Sequence, residues 1–139
     1  MPSLTRWFIK ASLLYFILGL LVGVWIALQP LLSPSFALAG LLPVYLHLLV
    51  FGWITQLIFG VVFWMFPKYT RDRPRRSEGL GWATFWMLNI GLLLRALGEP
   101  LNATQPAALG AWLLLLSALL QWLSGLAFVF NTWGRVKEK

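Results

Sequence analysis

Two ionisable side chains fall inside long apolar stretches of this chain: His47, in "PVYLHLLVFGW" (Pro43 to Trp53), and Arg95, in "LNIGLLLRALG" (Leu88 to Gly98). His47 is the only histidine. An imidazole in such surroundings has three uses. It can hydrogen-bond across helices as the neutral form, it can titrate as a proton relay or pH sensor, or it can ligate a metal, for a single histidine most naturally a heme iron. A structural zinc or copper site needs several ligands, and no cluster provides them. The chain has no cysteine, which removes disulfides, iron–sulfur clusters and thiolate metal sites. No carboxylate lies within an apolar stretch, and no lysine lies deep in one. The proton carrier of a small antiporter, a Schiff-base anchor and a Ser/His/carboxylate set are therefore all missing, and acid–base or nucleophilic catalysis has no residues to carry it.

The helical face of His47 holds Pro43, Val44, Val50, Phe51, Ile54 and Ile58. That bulky apolar stripe suits a porphyrin face and suits helix packing equally. Arg95 lies about one turn from the end of its segment. It either snorkels to the interface beside Glu99 or clamps an anionic group, such as the propionates of a heme. His47 lies in the same half of the bilayer by residue count, so a heme with outward propionates would reach the depth of Arg95.

The elements that position these residues follow from composition. The chain has 139 residues, 60% of them hydrophobic and 11% charged. A water-soluble domain of this size has too little interior for that much apolar surface, which makes lipid the expected solvent. A spanning helix needs about 20 mainly apolar residues, and four segments qualify: Trp7–Leu28, Phe36–Phe66, Leu80–Leu97 and Ala107–Phe130. The second would extend roughly 45 Å as a helix, so it must tilt, kink or protrude, with Pro43 as a kink or first-turn proline. Trp7, Trp25, Trp64, Trp82 and Trp133 fall near span ends, where interfacial tryptophans sit. Gly19 and Gly23 form a GxxxG pair, and Gly40, Gly52 and Gly60 punctuate the second span; both patterns predict close helix approach.

The net charge of +7 collects outside the spans. Arg6 and Lys10 lie at the start, Lys68, Arg71, Arg73, Arg75 and Arg76 in "KYTRDRPRRSEG", and Arg135, Lys137 and Lys139 at the end. This distribution argues against nucleic-acid binding. By the positive-inside rule it places both termini and the basic loop in the cytoplasm. The first span is too long for a signal-peptide core and lacks a cleavage site, so it reads as a retained anchor. The expected architecture is one membrane domain, 1–139: an all-α integral membrane protein, a four-transmembrane-helix bundle, multi-pass in the inner membrane.

"FIKASLLYFILGLLVGVWIALQP", then "HLLVFGW" and "FWMFPK", resembles the first two helices of subunit I of the heme–copper oxidase superfamily, in the flavour of nitric oxide reductases and C-family oxidases. The resemblance is clearest from Phe8 to Pro67 and implies that His47 stands where that family places a low-spin heme ligand. The chain lacks the family's later helices and the histidines for copper and the second heme, so oxygen or nitric oxide reduction by this chain alone is not expected. A second axial ligand would come from His47 of a two-fold partner or from Met87, roughly level with His47; otherwise the iron would be five-coordinate.

The leading expectation is a small membrane cytochrome. It would bind heme b through His47, with Arg95 toward the propionates and Phe51 and Met87 near the group, and would serve electron transfer, heme handling or gas sensing. A homodimer or higher homo-oligomer, a redox partner or a larger membrane complex would accompany it. The alternative is a cofactor-free structural or accessory subunit. A transporter using Thr55, Gln56, Thr84, Asn89, Ser117, Gln121 and Ser124 ranks third.

Overall fold

The computed structural model describes residues 1–31, 39–105 and 108–136. Among these, four helices are long and apolar enough to cross a membrane. Helix α1 spans Ser3–Leu28 and ends in a short 3-10 turn, Gln29–Leu31. Helix α2 spans Leu41–Met65, α3 spans Glu78–Thr104 and α4 spans Ala108–Trp133.

Helix α2 departs most from the expected form. Its first described turn follows Gly40, whose φ of 76° is left-handed. A Cβ at Gly40 would also meet the Glu99 carbonyl oxygen at 2.6 Å, so backbone conformation and close approach both demand glycine. Residues 36–38 of the expected span lie outside the described residues. The helix from Leu41 is 25 residues long, close to what a bilayer core accommodates with modest tilt. Pro43 sits in the first turn, where its missing N–H disrupts nothing. The irregularity lies further on, where Leu48–Thr55 is a π-helical segment that begins directly after His47.

Helix α3 starts on Ser77, whose Oγ accepts the Leu80 N–H at 3.1 Å. It runs past the expected end at Leu97 and through Pro100 to Thr104. The Thr104 hydroxyl donates to the Pro100 carbonyl at 2.8 Å, which occupies a carbonyl of this last turn.

Helix α1 packs along α2 and α3 along α4, and the two pairs join through α2. Glycines set both seams; those of the α1–α2 seam are the ones whose spacing predicts it. On the first, Gly19 and Gly23 face Leu49 and Tyr45, while Gly52 and Gly60 face Tyr15 and Phe8. On the second, Gly91 and Gly98 face Ser117, Leu113 and Leu114. Two apolar clusters fill the interior: Leu4, Phe8, Phe63 and Phe85 near the α1 N-terminus, and Tyr15, Val44, Leu48, Leu88 and Leu92 further along. The Phe59 and Phe128 rings stack 3.8 Å apart and tie α2 to α4.

The polarity of the bundle is inverted. Thr5, Ser12, Gln56, Thr84, Ser117 and Ser124 are at most 1% exposed, whereas leucines, valines, isoleucines and tryptophans cover the outside. Two interior hydroxyls bind backbone across the α3–α4 seam: Ser117 donates to the Gly91 carbonyl at 2.7 Å and Ser124 to the Thr84 carbonyl at 2.8 Å, whereas the buried Thr5 hydroxyl has no partner.

Arginines close the end where α2 and α4 terminate. The last carbonyls of a helix have no intrahelical donor. Arg135, just beyond α4 and 1% exposed, supplies three donors to the end of α2: Nη1 to Phe63 O at 3.1 Å, Nη2 to Phe66 O at 2.7 Å and Nε to Pro67 O at 3.0 Å. Burial, and then the nearby charge of Arg75, push its pKa below the ordinary arginine value. Arg76, held at a left-handed φ of 62°, donates Nη1 to Phe130 O at the end of α4. Asn131 exchanges two hydrogen bonds with the Ser77 backbone, at 2.9 and 3.2 Å. Replacing Arg135 by leucine strands three carbonyls, and the Arg135→Leu protein should lose about 2–4 kcal/mol of stability, read as a lowered melting point by circular dichroism in detergent. Arg71→Leu, in the exposed loop, should leave the melting point unchanged.

Candidate functional site

His47 lies on the flank of α2, half-buried. Its Nδ1 is 2.8 Å from the Pro43 carbonyl oxygen. A carbonyl only accepts, so Nδ1 carries the proton and donates it. The neutral ring therefore keeps its lone pair on Nε2. The ring stacks on Phe51, with centroids 5.3 Å apart and planes 19° from parallel. Phe51, Val50, Ile54 and Ile58 are 36–51% exposed. Of the stripe expected around His47, only Val44 turns fully inward; Pro43 is half-buried, and Val50, Phe51, Ile54 and Ile58 face out.

The inward face of α2 is offset by one residue. Leu48, Gly52, Gln56, Gly60 and Phe63 are its buried positions. Gln56, fully buried, donates Nε2 to Asn89 Oδ1 at 3.4 Å, and Asn89 donates Nδ2 to the Phe85 carbonyl at 2.7 Å. Gln56 Oε1 is buried and has no partner. The sequence carried a signal for this pair: Gly52 and Gly60 lie one turn on either side of Gln56 and mark the side of closest approach.

Arg95 pairs with Glu99 at 2.8 Å, and the two side chains are 19% and 17% exposed. Its Nε is buried without a partner. Met87 shares the helical face of Thr84 and Gly91, the face that meets Ser124 and Ser117 of α4. Among the described residues, no hydrogen bond, ion pair or ring contact joins His47 to Arg95 or Met87. The structure brings together His47 with Phe51, and Arg95 with Glu99, as separate units.

A heme placed at His47 would find a ligand nitrogen and one flanking ring among the described residues. None of five hollows on the described surface includes His47. Among the described residues there is also no group of three histidine, cysteine, aspartate or glutamate side chains that would hold a metal ion. Comparison with known protein families, with curated proteins and with solved structures returns no match.

The arrangement around Arg95 gives a double-mutant prediction. Glu99→Leu leaves a half-buried guanidinium without its carboxylate and should lower stability by about 1–3 kcal/mol. Arg95→Leu/Glu99→Leu should recover most of that loss, because neither charge remains. Thermal unfolding of the two single variants and the double variant in one detergent measures the coupling.

Proposed function

We propose that this chain is a multi-pass inner-membrane protein that acts, without a cofactor of its own, as an accessory subunit packed into a larger membrane assembly. The inverted polarity supports the embedding: polar side chains bind backbone inside while the outer surface is leucine, valine, isoleucine and tryptophan, as lipid demands. The basic residues support cytoplasmic termini. The basic loop, Arg135 and the α1 N-terminus gather at one end, while the opposite end carries only the Arg95–Glu99 pair among charged side chains of the described residues.

The observation that carries the accessory role is His47 Nε2. It is an acceptor on the outward flank of α2, among exposed apolar side chains. In hydrocarbon it has no donor unless another chain brings one. A neighbouring helix with a hydroxyl or amide donor, lying along His47, Phe51 and Ile54, satisfies it.

A second reading is favoured by the same ring. A histidine that donates Nδ1–H to a carbonyl while offering Nε2 has the outer-shell arrangement common to metal-ligating histidines. In that reading, which includes the resemblance to subunit I of the heme–copper oxidases, two copies face each other and each supplies His47 to one heme b. The group would then provide electron transfer, heme handling or gas sensing, and His47 would orient and hold it.

One preparation separates the two readings. The protein is purified in mild detergent beside His47→Leu, and its visible spectrum is taken oxidised and dithionite-reduced. The accessory reading predicts a colourless wild type, also after adding hemin. It further predicts a native assembly whose association weakens roughly threefold in His47→Leu, the worth of one interhelical hydrogen bond, with an unchanged monomer melting point. A sharp reduced α band that is lost in His47→Leu overturns it in favour of the cytochrome.

A further inference from the structure

Helices α1 and α3 touch over a short stretch near the α1 N-terminus. There Gly81 admits Leu4 and Phe63, either of which a Cβ would strike within 2.8 Å. Beyond that contact they separate and leave a hollow of about 350 Å³ lined by Trp7, Lys10, Leu14, Phe85, Trp86 and Leu93, with Asn89 among its walls. That volume falls in the range of about 300–1,000 Å³ typical of small-molecule sites. A smaller hollow of about 140 Å³, lined by Ser3, Arg6, Trp7 and Lys10, adjoins it through the shared Trp7 and Lys10. Arg6 and Lys10 are one helical turn apart on the same face. Among the described residues neither has a carboxylate partner: Glu78 is taken by Arg75 and Glu99 by Arg95, and Asp72, in the loop, makes no ion pair with either Arg6 or Lys10. Asn89 has both amide ends engaged, by Gln56 and by the Phe85 carbonyl, so it competes little for polar groups of a ligand.

The two hollows differ in chemistry and lie side by side, with Trp7 and Lys10 lining both. One offers two unpaired cations at the expected membrane surface; the other offers an aromatic and aliphatic channel pointing into the bilayer. We propose that this groove is a binding site for an anionic phospholipid. The phosphate lies against Arg6 and Lys10, and one acyl chain runs past Trp7 and Trp86 along Leu14 and Leu93. The charge complementarity selects the headgroup, and the groove between diverging helices holds the chain. The site rests on the membrane reading above and is separate from the His47 flank.

The test uses the full-length protein reconstituted in phosphatidylcholine vesicles containing either brominated phosphatidylglycerol or brominated phosphatidylcholine, with quenching of tryptophan fluorescence as readout. The expected result is a preference for the anionic lipid of at least about fivefold, the worth of one basic residue at an anionic surface. Arg6→Gln/Lys10→Gln should abolish this preference, and Arg71→Gln/Arg73→Gln in the exposed loop should keep it. Trp7→Phe/Trp86→Phe, with every cation intact, should lose the lipid-specific part of the quenching. Equal quenching of the wild type by both lipids, or a specific component that survives in either the Arg6/Lys10 or the Trp7/Trp86 variant, overturns the site. Failure of the wild type to float with vesicles overturns the membrane reading instead.

Discussion

Most polar groups that this bundle withdraws from solvent find a partner within the protein, and that constraint shapes the molecule from end to end; among the described residues the Thr5 hydroxyl, Gln56 Oε1 and Arg95 Nε are buried without one. The constraint is most visible at the basic end. The Arg135 guanidinium takes three carbonyls of the α2 terminus, Arg76 takes one from α4, and Asn131 answers both backbone groups of Ser77. These bonds link the end of α4 to the end of α2 and to the start of α3. Arginine is suited to the task because its fork presents several fixed donors and keeps its charge when desolvated. The same residues that read as topology signals are thus also the clasp of the fold.

Within the helices the requirement is met locally. Ser12, Thr84 and Asn89 return hydrogen bonds to carbonyls three or four residues back, and Ser117 and Ser124 reach across a seam that glycine has narrowed. Apolar packing contributes two small clusters, and large side chains are left outside. His47 follows the rule halfway. Its Nδ1 is satisfied by Pro43, and no hydrogen bond to its Nε2 is found among the described residues, which is why the proposed role turns on a neighbouring chain.

Much of this was legible in the sequence because long apolar helices leave strong patterns. The four helices, the glycine seam between α1 and α2 and the Arg95–Glu99 pair follow from hydropathy, small-residue spacing and an i,i+4 relation. What was not legible depends on angles around the helix axis. His47 and Leu48 are adjacent in sequence, yet one lies on the flank and the other inside. The period of the apolar stripe around His47 is legible, but nearly every residue of α2 is apolar, so the pattern does not say which side turns inward; the buried side is the neighbouring row Val44, Leu48, Gly52, Gln56 and Gly60. Arg135 was illegible for another reason: its partners are backbone carbonyls almost 70 residues away, and carbonyls carry no sequence signal. The extension of α3 through Pro100 to Thr104 was not legible either, because the expected span was bounded by its apolar run and stopped at Leu97.

The angular assignment of α2 is the claim on which the reading of His47 stands. The chain has no cysteine, so single cysteines introduced from 46 to 58 can be spin-labelled and their oxygen accessibility measured in lipid nanodiscs. The account predicts maxima at positions 50, 51, 54 and 58 and minima at 48 and 56, with 47 intermediate. Minima at 47, 51 and 54 would contradict it, because His47 and Phe51 would then face the interior of the bundle and the outward acceptor would not exist.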